Sequence, residues 1–177
     1  MLEIGVEAPE FKVLDRDGWA VELGAFRGRR VCLFLSPGIH LYGPGTIHKV
    51  LGALSESESS VLANAVVIAV NADSTKHQQR FAERHGLAYL FLSDPEHVVA
   101  MAYEVWQHRP KRGRPFHDVV PSVFLIDDQG HLTHAWYDVK VQTFHDSFVA
   151  AVGRYDSGSA DGSHDDGSVV TTEPEAI

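Results

Sequence analysis

The stretch Val31-Cys32-Leu33-Phe34-Leu35, stopped by Ser36-Pro37-Gly38, constrains the fold more than any other part of the chain. Five apolar residues without polar alternation read as a strand buried on both faces, as in the middle of a parallel sheet. A Gly/Pro-rich loop follows, Gly38-Ile39-His40-Leu41-Tyr42-Gly43-Pro44-Gly45-Thr46, and a helix is expected from near Ile47 through Val50, Leu51 and Leu54. A strand that feeds a helix N-terminus gathers backbone N–H groups and a positive dipole end in one small pocket. That pocket is the expected site.

The rest of the chain supplies partners for this strand. Gly5 to Phe11, with Ala8-Pro9-Glu10-Phe11, reads as an extended entry segment. Phe11 to Leu14 and Ala20 to Leu23 flank Asp15-Arg16-Asp17-Gly18, a turn with glycine where positive φ is expected, giving a small hairpin. Val66-Val67-Ile68-Ala69-Val70 is a second central strand. Asn71-Ala72-Asp73-Ser74 supplies turn and N-cap residues for a helix carrying Phe81 and closed by His85-Gly86. Leu87 to Leu92 is strand-like. Asp94 and Pro95 are expected as N-cap and first residue of a short helix with Ala100, Met101 and Tyr103, ending near Trp106. Gln107 to Asp118 is basic and irregular. Val123 to Ile126 and Leu132 to Trp136 form a hairpin around Asp127-Asp128-Gln129-Gly130. Thr143 and Asp146 resemble a capping box that opens a last helix through Phe148, Val149 and Val152.

At 177 residues the length fits one domain, residues 1–154, followed by a tail at 155–177 that is rich in Gly, Ser and Asp. The tail has too little apolar area to offset its ordering entropy and is expected to be disordered. It contributes much of the formal net charge of −9, which argues against nucleic acid as a partner. No basic-then-apolar leader and no membrane-length apolar run is visible, so no membrane partner and a cytoplasmic location are expected. One cysteine excludes an intramolecular disulfide, a Cys-x-x-Cys pair and a multi-cysteine zinc site. The 11 histidines are scattered without a His-x-x-x-His spacing, so no metal is expected, and no cofactor.

Gly5-x-x-Ala8-Pro9-x-Phe11, Phe26-Arg27-Gly28, Val31 to Pro37 and Val70-Asn71-Ala72-Asp73-Ser74 occur in a fixed order. Phe81 to Leu87, Leu92-Ser93-Asp94-Pro95, Ala102-Tyr103-x-x-Trp106 and Phe124-Leu125-Ile126-Asp127-x-x-Gly130 continue the series. Together they resemble the peroxiredoxins of the alkyl hydroperoxide reductase/thiol-specific antioxidant superfamily, and among them the bacterioferritin-comigratory type. The resemblance implies an α/β, thioredoxin-like fold, with a mixed central sheet and helices on both faces. It also implies an antioxidant oxidoreductase lineage, in which a thiolate at this helix start attacks peroxide and an Arg on the facing strand lowers its pKa. Aligning the family's Pro-Gly-Cys-Thr with Pro44-Gly45-Thr46-Ile47 puts Thr46 where the peroxidatic cysteine stands; an ungapped match puts Pro44 there. The Arg position falls on Pro121, and the resolving cysteine that many members carry has no counterpart. Val120-Pro121-Ser122-Val123-Phe124 also resembles the cis-proline strand of thioredoxins, so the Val120–Pro121 bond is expected to be cis.

The expected function is therefore that of a peroxiredoxin-like pseudoenzyme, binding a small molecule or protein partner through the ancestral pocket as a monomer or homodimer. Thr46, His40, His48 and Tyr42 are the polar catalytic candidates, and Pro44, Gly45, Pro121 and Trp106 the ligand-binding ones. The alternatives are altered chemistry in the same pocket, or residual antioxidant activity through Cys32. Inside its strand, Cys32 reads as a small buried hydrophobe. Arg109 to Arg114 reads as solvated charge on an exposed loop.

Overall fold

The computed structural model describes residues 1–39, 50, 65–87, 89–108, 117–140 and 169–171. Its centre is an eight-stranded mixed sheet. The strands are β1 (Lys12–Asp15), β2 (Ala20–Glu22), β3 (Val31–Leu35), β4 (Val66–Asn71), β5 (Leu90–Ser93), β8 (Ser122–Ile126), β9 (Leu132–Tyr137) and β10 (Val169–Thr171). Their spatial order is β10-β9-β8-β3-β4-β5-β1-β2. β3, β4 and β5 run parallel, and β8 returns antiparallel beside β3.

The apolar run at 31–35 is central as expected, and its alternation divides the core. Cys32 and Phe34 face one layer with Ala69, Phe81, Phe91 and Leu125. Val31, Leu33 and Leu35 face the other with Ile68, Val70, Val99, Tyr103 and Phe124. Helix α1 (Thr75–His85) covers the first face through Phe81 and Ala82, and α2 (Val98–Ala102) covers the second through Val99 and Ala100. The mixed sheet thus carries helices on both faces.

Local signals explain these boundaries. Ser74 Oγ accepts the His77 N–H, and Gly86 ends α1 at φ 62°, a left-handed conformation that costs glycine little. At the β1–β2 turn Gly18 has φ 87°, while Asp15 Oδ1 accepts the Asp17 and Trp19 N–H groups.

Asp94 and Pro95 do not open α2; His97 precedes it in a left-handed conformation and the helix begins at Val98. Asp94 caps it from a distance, because its carboxylate accepts the N–H groups of Val98, Val99 and Ala100 at 2.7, 3.0 and 3.1 Å. The helix ends at Ala102, and Trp106 opens β6 (Trp106–His108) instead. β6 pairs antiparallel with β7 (His117–Val119), so the ends of the segment expected to be irregular form a two-stranded sheet. The Val120–Pro121 bond is trans. Trans is the lower-energy isomer of such bonds, and here the Pro121 carbonyl is held by the Val139 N–H at 2.8 Å.

Of the tail at 155–177, only Val169–Thr171 is described. This β-branched run pairs parallel with β9 as an edge strand. The expected helices after Thr46 and Thr143 lie outside the described residues, apart from Val50, which is buried in the first core layer.

Candidate functional site

Parallel neighbours end at the same edge of a sheet, and connections leaving that edge make the crevice where α/β proteins place ligands. In this chain β3 continues there into residues 36–39, β4 into residues 72–73 and β5 into Asp94. β8 starts there, since Ser122 stands opposite Leu35. The buried polar residues gather at this edge: Ser36, Asn71, Asp73, Ser93, Asp94 and Ser122, with Gln78 reaching in from α1.

Hydrogen bonds with Ile39, His77, Asn71 and Ser93 meet at Asp73. Its Oδ2 accepts the Ile39 N–H at 2.5 Å, and its Oδ1 lies 2.9 Å from His77 Nδ1. Its own N–H donates to Asn71 Oδ1 and its carbonyl accepts from Ser93 Oγ. Gln78 Nε2 donates to Asn71 Oδ1 and to the Leu92 carbonyl. Asn71 Nδ2 and Gln78 Oε1 are buried without a hydrogen-bond partner among the described residues. Hence the edge holds both an oriented carboxylate and spare polar capacity. No group of three or more His, Cys, Asp or Glu is arranged for a metal ion among the described residues.

The sequence candidates His40, Tyr42, Pro44, Gly45, Thr46 and His48 lie outside the described residues, as do Arg109 to Arg114. Ile39, which leads into the first group, is fixed at this edge by Asp73. Pro121 is buried beside Ser122 at the same edge. Trp106 pairs with Val119 in the small sheet and stacks on His97, with ring centroids 3.7 Å apart. Its ring lies over the start of α2.

Cys32 is not at the edge. It pairs with Val67 on one side and Leu125 on the other, is 0% exposed, and burial pushes its thiol pKa up. A thiol held protonated in a dry layer is a poor nucleophile.

Asp73 and His77 were missed as site residues. Their i,i+4 spacing after a central strand was visible, but an Asp beside Ser74 reads equally well as turn chemistry.

Comparison with known proteins decides the ancestry. Residues 4–135 match the AhpC/TSA family. Peroxiredoxin Bcp of Bacillus subtilis is 33% identical over 141 residues, covering 80% of this chain and 88% of that protein. The chain belongs to the AhpC/TSA family. Peroxiredoxin Bcp of Escherichia coli is 30% identical over 145 residues, covering 82% of this chain and 92% of that one. Among solved structures, a PrxQ mutant from Xylella fastidiosa superposes with a TM-score of 0.74 at 19% identity, covering 88% of this chain and 98% of that one. The bacterioferritin comigratory protein of Xanthomonas campestris gives 0.67 at 22% identity, with coverages of 88% and 98%. These likenesses establish an AhpC/TSA chain with the thioredoxin-like peroxiredoxin fold.

No helix among the described residues is long and apolar enough to cross a membrane.

Proposed function

We propose that this AhpC/TSA-family chain is not a thiol peroxidase and instead binds a small molecule or protein partner at the C-terminal edge of β3, β4 and β5. The observation that carries the reading is the position of the only sulfur nucleophile in the sequence. Cys32 is enclosed at the second position of β3, three residues before the last residue of the strand, and burial disfavours its thiolate. On the gapped register Thr46 occupies the ancestral cysteine position and Pro121 the arginine position. A threonine hydroxyl does not climb the oxidation ladder that peroxide reduction by cysteine uses. With respect to peroxide chemistry the protein is then a cytoplasmic pseudoenzyme without a cofactor, acting as a monomer or homodimer and not on nucleic acid or membranes.

Altered chemistry in the same crevice is the second reading, and the Asp73–His77 pair favours it. Residual antioxidant activity through Cys32 has burial against it.

The test is a thermal-shift screen of the full-length chain against a chemically diverse small-molecule library, since a ligand of the folded state raises apparent stability by mass action. The expected result is a stabilising compound whose effect is lost in Thr46→Val. Absence of any such compound, together with Cys32-dependent peroxide turnover, would overturn the proposal.

A further inference from the structure

We propose that Asp73 and His77 form an acid–base dyad, in which His77 Nε2 takes a proton from water as that water attacks the acyl carbon of a small activated ester.

The geometry separates two roles. The Asp73 side chain is about 5% exposed and ties both oxygens to defined partners, Ile39 N–H and His77 Nδ1. Its backbone N–H and carbonyl are held by Asn71 and Ser93, so main chain and side chain of Asp73 are both fixed. An ionised carboxylate only accepts hydrogen bonds, so Nδ1 carries the ring proton and Nε2 presents a lone pair. The His77 side chain is 47% exposed, which leaves that lone pair accessible. Asp73 is the positioning residue, His77 the group that meets substrate. Through Ile39 the same carboxylate holds the start of the segment leading into the Gly/Pro-rich loop.

A second Asp–His pair of identical spacing serves as an internal reference. His131 is 43% exposed, but its Nδ1 lies 3.7 Å from Asp127 Oδ1, beyond hydrogen-bond range. That oxygen accepts the Gln129 and His131 backbone N–H groups instead. The two histidines thus match in access and differ in their carboxylates.

The step balances without an oxidant or reductant. Water oxygen bonds to the acyl carbon and its proton passes to Nε2, giving an imidazolium whose Nδ1 faces the Asp73 carboxylate. The ester C–O bond breaks, and the leaving oxygen takes the proton from Nε2. Acid and alcohol are released, and His77 is neutral again.

The experiment uses the full-length protein with two probes. Diethyl pyrocarbonate modification, mapped by peptide mass spectrometry, reads each histidine separately; p-nitrophenyl acetate reads hydrolysis. His77 is expected to be modified about tenfold faster than His131, and Asp73→Asn is expected to remove that excess while leaving His131 unchanged. His77→Gln should lower kcat for the ester by about tenfold or more with KM little changed. Equal modification of His77 and His131 in the unaltered protein would overturn the proposal, and this comparison stands even if Asp73→Asn fails to fold. Ester hydrolysis that is unchanged in His77→Gln would overturn it as well.

Discussion

Cys32 stands directly opposite Leu125 in the β3–β8 ladder, with Val67 on its other side, so strands wall off the thiol from both directions. Phe34, Phe91 and Trp136 belong to the same buried layer. A large aromatic reagent reaches such a sulfur only after the sheet opens. We predict that the native protein reacts negligibly with Ellman's reagent over minutes, and that denaturation in guanidinium releases one thiol equivalent. Rapid stoichiometric labelling of the folded chain would show that this layer opens readily.

Stability should fall at alkaline pH. Burial raises the thiol pKa of Cys32 and the phenol pKa of Tyr103, whose shift is increased by the charge of Glu10. Tyr137 shifts the same way through burial. A group whose folded pKa is raised contributes stability that is complete below its unfolded pKa and is lost as pH rises through the folded value. Unfolded cysteine and tyrosine titrate near about 8.5 and 10, so the decline begins above roughly pH 8. Urea midpoints from pH 7 to 11 would trace it, and Cys32→Ala should remove its earliest part. A midpoint that rises with pH would contradict the assigned burial.

Asp94 should matter more than its loop position suggests. It is buried and accepts three consecutive N–H groups at the start of α2. Asp94→Ala strands these donors and should cost about 3 kcal/mol, given roughly 1–3 kcal/mol for an unsatisfied buried group. Asp94→Asn should recover part of that, because one amide oxygen still accepts. Denaturant unfolding of both variants measures the difference.

Gly86 is expected to be a smaller liability. Its φ of 62° at the end of α1 is left-handed, and a Cβ there would meet nothing within 4 Å. Gly86→Ala should therefore cost about 1 kcal/mol from backbone strain alone. A loss several times larger would mean that crowding contributes.

The central sheet was legible because its strands carry the fold's strongest chemical signal. Val31 to Leu35 and Val66 to Val70 are unbroken apolar runs, and only a position buried on both faces accommodates them. Helix α1 was legible through Ser74 and Gly86. The β6–β7 pair was not, since Pro, Gly and Arg between Gln107 and Asp118 hide two three-residue strands. Asp94 misled in a particular way: an Asp-Pro pair looks like a helix start, whereas the carboxylate reaches forward over an added turn to cap from a distance. Asp73 and His77 went unrecognised because hydrogen-bond partners such as Ile39 and Ser93 come from distant parts of the sequence. Only the meeting of three strand ends makes them a site.

Whether Cys32 works as a peroxidatic thiol is read by peroxide consumption by the reduced full-length protein, coupled to thioredoxin, thioredoxin reductase and NADPH, with intact mass recorded at the end. NADPH oxidation is expected at the rate without the protein, with an intact mass free of added oxygen at Cys32. Sustained turnover that disappears in Cys32→Ser would contradict this expectation, because the buried thiol would then be the working nucleophile.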